Sequence, residues 1–395
     1  MRGGRGGRVG MVAGEASGDL LAAEILKALN GAGGGAPDVD APQTAGIGGE
    51  RMVASGFDAW WGSEQLAVHG YAEALKVLPK LLLIRRRLGS RLLDWPADAF
   101  VGIDAPDFNL GLETRLRRAG VRTLHFVSPS IWAWRRERIG RIREAVDQML
   151  LVFPFEEAIY RDAGVPARYC GHPLADRIPL QPDRDAARRA LGVDPAATVI
   201  AVLPGSRRSE IARLAPPFIE TIARLAGRRP SWVFLVPAAG ATRFAELRRL
   251  LAQAAPDADV RLLLGHSHDA LAACDATLIA SGTATLEAML YKRPMVIAYR
   301  LGDLDYRRMK RQAYLPWAGL PNILFRDFVV PEFIQDAVQP EAMAQALMSA
   351  VEDRTAADRL AERFAEQHHA LRRDCARQVA DAVREAVDGA RRKAA

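Results

Sequence analysis

Residues Ala276–Leu290 read ATLIASGTATLEAML, an apolar run that ends in Ser281-Gly282-Thr283 and passes straight into a helical pattern. A short apolar run bounded by small polar residues fits a strand buried on both faces. Small residues at the turn let backbone N–H groups converge at the start of the next helix, which makes a nest for phosphate. Glu287 lies one turn inside that helix. Its carboxylate either accepts from a ribose hydroxyl, complements the helix dipole, or completes a capping box with Thr283.

Working outward, the same strand–turn–helix rhythm fills the second half at Val199–Leu203, Trp232–Val236, Arg261–Leu264 and Met295–Ala298. In the first half it occurs at Val9–Ala13, followed by a helix over Asp19–Leu29, and then at Ala99–Ile103, Thr123–Val127 and Met149–Val152. Strands separated by helical segments predict parallel sheets covered on both faces. The expected fold is α/β, two Rossmann-like doubly wound domains facing a cleft, with ligands outside the carboxyl ends of the strands. Gly171–Pro195, rich in Pro, Asp and Arg and poor in large apolar residues, reads as the linker. The expected domains are 1–175 and 176–370. The remainder, 371–395, reads as a C-terminal helix. From Glu341 onward the pattern is helical and strongly charged.

At 395 residues, 49% hydrophobic and 26% charged, the chain has globular composition and material for two cores. Its 54 Lys and Arg against 47 Asp and Glu favour anionic surfaces or phosphate-bearing ligands. That charge is spread too thinly to argue for nucleic acid. Cys170, Cys274 and Cys375 are far apart in sequence, which fits a reducing compartment and no close metal or redox pair. The basic start MRGGRGGRVGMV leads into no secretory apolar region, and no run approaches the ~20 apolar residues that span a bilayer. The expectation is a cytoplasmic protein.

Four strand ends carry candidate chemistry. After Val9–Ala13 comes Gly14-Glu15-Ala16-Ser17-Gly18-Asp19, either a ligand loop or a tight turn in which Ser17 or Asp19 caps the helix. It is not the GxGxxG dinucleotide fingerprint. After Ala99–Ile103 come Asp104 and Asp107, placed where a general base is needed. Pro106 favours a first helical turn there, so one of the two can instead cap that helix; Asp104 stands before the proline and Asp107 within the turn after it, and Asp104 is the preferred chemical residue. Leu203-Pro204-Gly205-Ser206-Arg207 closes the first strand of the second half, where Arg207 can hold a diphosphate bidentately. The fourth is the Ser281–Thr283 turn. His266 and His268 lack a metal-ligand spacing and read as a solvated loop, and Trp132 and Trp134 read as packing residues.

Leu66–Leu93 is two-faced. On a continuous helix Val77, Leu81, Ile84 and Leu88 share one face, and Leu75, Leu78 and Leu82 a second, roughly opposite one. Lys76, Lys80, Arg87 and Arg91 run between them, and Arg85 and Arg86 add charge. One apolar face serves the core; the other suits an anionic bilayer surface or an acyl chain. Burial on both sides inside the domain is the plainer alternative, and Pro79 kinks or restarts the helix.

Taken together the segments resemble the lipid-A-disaccharide synthase family. The likeness rests on GEASGD (Gly14–Asp19), VGIDAPDFN (Val101–Asn109), HFVSPSIWAWR (His125–Arg135), FPFE (Phe153–Glu156) and GHPLAD (Gly171–Asp176). It continues through LPGSR (Leu203–Arg207), ASGTATLEAML (Ala280–Leu290), Tyr299-Arg300 and LPNIL (Leu320–Leu324), in shared order over nearly the whole chain. The leading Arg/Gly octapeptide and His69 depart from the family pattern.

The resemblance implies a GT-B fold that transfers 2,3-diacylglucosamine from its UDP conjugate to lipid X, inverting the anomeric centre. It implies Asp104 as base and Arg207 as diphosphate stabiliser, with Ser206, Ser281, Gly282, Thr283, Glu287 and Asn322 on the donor side. Glu15, Ser17, Gly18 and Asp19 would line the acceptor side, and Leu75, Leu78, Leu82, Arg85 and Arg86 would face acyl chains and the inner membrane. No metal or other cofactor is expected, and related enzymes imply a homodimer, the 371–395 helix packing back on the first domain or being exchanged between copies. The competing readings are another UDP-sugar enzyme of this fold, such as a cell-wall precursor glycosyltransferase or an epimerase, and a non-catalytic lipid- or nucleotide-binding protein.

Overall fold

The computed structural model describes residues 6–14, 16–31, 41–66 and 71–394, with backbone alone for 16, 71–77 and 394. The chain folds into two compact units, Met1–Asp176 with Leu371–Ala395, and Arg177–Ala370. Unit 1 holds seven strands: β1 (Arg8–Ala13), β2 (Gln43–Gly48), β3 (Asp58–Gly62), β4 (Ala99–Ile103), β5 (Arg122–Phe126), β6 (Gln148–Leu151) and β7 (Ala167–Tyr169). Their order is β3-β2-β1-β4-β5-β6-β7, and every pairing is parallel. Unit 2 holds β8 (Val199–Leu203), β9 (Val233–Ala238), β10 (Asp259–Leu264), β11 (Ala276–Ala280), β12 (Met295–Tyr299) and β13 (Glu332–Ile334). They lie in the order β10-β9-β8-β11-β12-β13, again all parallel. Both sheets are therefore doubly wound, and each reverses direction once, between β1 and β4 and between β8 and β11.

The central strands β4, β8 and β11 are buried along their whole length, as unbroken apolar runs require when both faces are covered. In unit 1 the C-terminal helix Cys375–Ala394 packs on the Ala16–Leu29 helix and on β4 and β5 of its own chain. Val379, Val383 and Val387 are buried at that contact, and Arg384 donates to the carbonyls of Ala28 and Leu29. Asp176 fixes the start of the helix by accepting from the N–H groups of Asp374 (3.0 Å) and Cys375 (2.7 Å).

The Gly171–Pro195 segment, expected as a linker, is largely structured. It forms helices Pro173–Arg177 and Arg184–Ala190. Arg188 is fully buried, donating to Asp275 and to the carbonyls of Ala273, Pro195 and Ala197. A polar composition hid this packing because the segment is anchored by a paired guanidinium rather than by apolar area.

Candidate active site

In unit 1 the reversal between β1 and β4 brings two of the sequence motifs together. Ala13 pairs with Ile103, so the next residues, Gly14 and Asp104, leave the sheet side by side. A Cβ on Gly14 would stand 3.2 Å from that of Ala105. Asp104 is exposed, and its carboxylate has no hydrogen-bond partner among the described residues. Its backbone is left-handed (φ 52°), as is that of Ala105 (φ 44°). Two successive side-chain-bearing residues in that region are strained, and such strain collects at functional turns. Asn109 holds the turn: its amide donates to the Asp104 carbonyl at 2.8 Å and its N–H to the Ala105 carbonyl at 3.0 Å. Asp107, in contrast, sits in the helix Pro106–Arg118 and pairs with Arg138 at 3.1 Å.

Gly14 lies beside this turn, but the Gly14–Asp19 motif is mostly helix, Ala16–Asp19 forming the first turn of the Ala16–Leu29 helix, and its members differ. Glu15 lies outside the described residues. Ser17 is exposed, and Gly18 is buried near Ala13. Asp19 points away, 6% exposed, accepting from the N–H groups of Gly49 (2.8 Å), Arg51 (3.1 Å) and Met52 (3.2 Å). Its carboxylate caps the short helix Glu50–Ala54 rather than the helix it belongs to.

Further along the same sheet edge, Trp132 packs edge-on to Phe153 and Phe155, and Phe153 lies against His172. Glu156, 1% exposed, accepts from the Phe153 N–H at 3.0 Å, and burial pushes its carboxyl up to about 8. Burial pushes His172 the other way, to about 3. Both groups are uncharged at neutral pH.

Unit 2 builds its reversal differently. Leu203 pairs with Ile279, which sets the Pro204–Arg207 turn beside the Ser281–Thr283 turn. Gly205 is left-handed (φ 114°), and Arg207 is the N-cap of the helix Arg208–Arg228. The Glu210 carboxylate accepts from the N–H groups of Ser206 (3.0 Å) and Arg207 (3.1 Å) and from the Arg207 guanidinium (3.1 Å). The turn is thus an anion cradle held by the chain's own carboxylate. The Arg207 side chain is 80% exposed. Sequence reasoning passed over Glu210, although its position three residues past Arg207 is the N3 position of a capping box. Tyr299 lies near the same turn: burial and the charge of Glu210 raise its hydroxyl against the pull of Arg207 and Arg213, while Arg300 donates to the carbonyls of Gln335 and Val338.

At the other turn, Ser281 donates its N–H to Ala298 and its hydroxyl to the Ala318 carbonyl. Gly282 and Thr283 donate to nothing among the described residues, so they are the N–H groups available to a phosphate. Asn322 is fully buried and committed internally. Its Nδ2 donates to Val330 and Glu332, and its Oδ1 accepts from Val329 and Val330. Glu332 in turn accepts from the N–H groups of Ala318 and Gly319, so Asn322 braces the segment that holds Ser281. Glu287 is half-buried in the helix Thr283–Leu290, and burial raises its carboxyl against the charges of His268 and Arg177. His268 was expected in a solvated loop. It lies instead in the helix Ser267–Ala273, its Nε2 3.9 Å from Glu287 and its Nδ1 3.3 Å from the Tyr291 hydroxyl. Among the described residues no group of His, Cys, Asp and Glu side chains is arranged to hold a metal ion.

The two-faced segment is the helix Tyr71–Asp94, with Pro79 inside it. Ile84, Leu88 and Leu92 are buried in the core of unit 1. Leu78, Leu82 and Leu83 are 46%, 45% and 47% exposed, so burial on both sides is ruled out. Arg86 and Arg87 are exposed beside them, while Arg85 lies half-buried over Gly111. The side chains of Leu75, Lys76 and Val77, like His69, lie outside the described residues.

Solved structures share this architecture. The calicheamicin glycosyltransferase matches 97% of this chain and 99% of its own at a TM-score of 0.61 and 14% identity. A UDP-GlcNAc 2-epimerase from Neisseria meningitidis, solved with UDP-GlcNAc, matches 90% and 94% at 0.61 and 11%. At such identities the likeness defines the fold alone, the two-domain GT-B architecture. Sequence takes the assignment further. The family model for lipid-A-disaccharide synthetase matches residues 9–384. The lipid-A-disaccharide synthase of Azoarcus sp. (strain BH72) is 52% identical over 381 residues, 95% of each chain. That of Azotobacter vinelandii is 50% identical over 384 residues, 97% of this chain and 99% of its own. The chain belongs to the lipid-A-disaccharide synthetase family.

Proposed function

We propose that this chain transfers 2,3-diacylglucosamine from its UDP conjugate to the 6-hydroxyl of 2,3-diacylglucosamine 1-phosphate (lipid X). The products are the β-1′,6-linked disaccharide 1-phosphate and UDP, with inversion at the anomeric carbon. Asp104 takes the proton of the acceptor hydroxyl as that oxygen attacks, and the departing UDP leaves with the bonding pair. Its unpartnered, exposed carboxylate on a strained turn at the strand reversal is the observation that carries this reading. Arg207 and the N–H groups of Gly282 and Thr283 stabilise the diphosphate charge, with Ser206 and Ser281 beside them in their turns, and Glu287 accepts from the ribose. Asn322 acts through the Ala318–Gly319 segment, and of the Gly14–Asp19 motif Glu15 and Ser17 are the acceptor-side residues, Asp19 serving the fold instead.

Unit 1 is then the acceptor and membrane-facing domain, and unit 2 the UDP-sugar domain, in a protein working at the cytoplasmic face of the inner membrane. Leu75, Leu78 and Leu82, with Arg85 and Arg86, form the contact with acyl chains and anionic head groups. Among the described residues no helix is long and apolar enough to cross a membrane. The test is turnover of UDP-2,3-diacylglucosamine with lipid X in detergent micelles. Disaccharide formation supports the assignment; a folded protein that makes none overturns it.

A further inference from the structure

Beneath the Asp104 turn lies a buried ionisable pair that the transfer step does not use. Glu113, on the Pro106–Arg118 helix, and His125, on β5, are both fully buried, with Nδ1 2.7 Å from Oε1. Asn109, one turn earlier on the same helix and equally buried, is the residue whose amide grips the Asp104 carbonyl. Three polar atoms of this cluster, Glu113 Oε2, His125 Nε2 and Asn109 Oδ1, have no hydrogen-bond partner among the described residues. The strand is shaped around it. Gly102 pairs with His125 in the sheet, and a Cβ there would run into Glu113 Oε1 and stand 2.9 Å from Asn109 Cβ.

Stability gives no reason for such a pair. Removing two charges from water costs several kcal/mol per ion, and apolar replacements of similar volume are often at least as stable. Unpartnered buried polar atoms add to that cost. The cluster does sit where charge matters, since it occupies the layer directly under the left-handed Asp104–Ala105 turn.

We propose that Glu113, His125 and Asn109 are the positioning element of the Asp104 carboxylate, the pair setting the charge beneath it and the Asn109 amide holding its turn. This rests on Asp104 being the base. Burial alone would strip the His125 proton, but the charge and hydrogen bond of Glu113 and the charge of Asp104 reverse that, and its affinity is raised. Burial likewise raises Glu113, against the pull of His125. The pair therefore keeps one proton, and Asp104 above it favours placing that proton on His125. Glu113 on the helix and Asp104 at the end of β4 are the charged groups that act on the ring. A positive ring beneath the turn is the charge the Asp104 carboxylate faces when the acceptor hydroxyl arrives.

The deciding variant is the double substitution Glu113→Gln with His125→Gln, which keeps a side-chain hydrogen bond and removes both charges. The expected result is a melting temperature near the parent's, a kcat lower by roughly 10-fold or more with KM little changed, and a displaced pH–rate profile. A double variant with the parent's kcat and profile would overturn the proposal while leaving the base assignment intact. An active Asp104→Asn variant would instead sink the base assignment itself. Should the double variant fail to fold, histidine ¹⁵N NMR decides. His125 should carry protons on both ring nitrogens near neutral pH and lose one at lower pH in Asp104→Asn. A neutral ring, or one indifferent to that substitution, contradicts the proposal.

Discussion

The two sheet reversals share a topology and differ in chemistry. In unit 1 the reversal presents a bare carboxylate on two left-handed residues, over a buried ionisable pair. In unit 2 it presents backbone N–H groups, a small-residue turn and an exposed guanidinium, already drawn together by Glu210. The first arrangement is costly and suited to moving a proton; the second is relaxed and suited to holding an anion. One doubly wound frame thus supports either task, and the residues just past the strand ends decide which.

Breaking the anion-holding side should have the larger effect on the departing group. Arg207→Ala should lower kcat about 10²- to 10³-fold, as loss of a charge-stabilising donor does, while leaving unfolding unchanged. A loss confined to KM would make Arg207 a ground-state contact only. Next in size is the division of labour itself. Asp19→Asn removes a carboxylate that accepts three N–H groups in unit 1, and should destabilise that unit by about 1–3 kcal/mol in urea titrations. UDP binding should not move. Weakened UDP binding would show that the two reversals are not separable.

A pH effect of similar size should arise in unit 1. Glu156, raised to about 8, binds its proton more tightly folded than unfolded, so its contribution is full below its unfolded value and lost as pH rises through 8. His172, lowered to about 3, works in the opposite sense only below its unfolded value. From pH 6.5 to 8 Glu156 contributes about 2 kcal/mol of the fall, beside a part from His125, whose proton affinity is also raised, and Glu156→Gln should make the fall shallower by that amount. A parent whose stability is level across that window would contradict the buried neutral carboxyl. Smaller still, Glu210→Gln should tighten UDP binding roughly 5-fold by calorimetry, because a like charge leaves the cradle. Weaker binding would make Glu210 a brace for the turn instead.

The central strands were legible because a strand covered on both faces must be an unbroken apolar run, as β4, β8 and β11 are. The peripheral strands were not: β2 (QTAGIG), β7 (ARY) and β13 (EFI) are too short or too rich in small residues to show a period. The same holds at the site. Asp104 and Arg207 could be singled out because they follow such runs directly. Glu113 and His268 could not, since each acts through a partner elsewhere in the fold; Glu210 was within reach, because its partners lie three and four residues before it. Asp19 and Asn322 were visible as polar residues in motifs, but the direction they face is set by the Gly49–Met52 and Val329–Glu332 segments they brace.

The most direct test of Asp104 as the base is the rate of UDP release by Asp104→Asn beside the parent, with UDP affinity measured on both. Retained UDP affinity with kcat lower by about 10²- to 10⁴-fold is the predicted result, since unit 2 would still hold the nucleotide while unit 1 could no longer take the proton. A variant that releases UDP at the parent's rate would show that Asp104 is not the base.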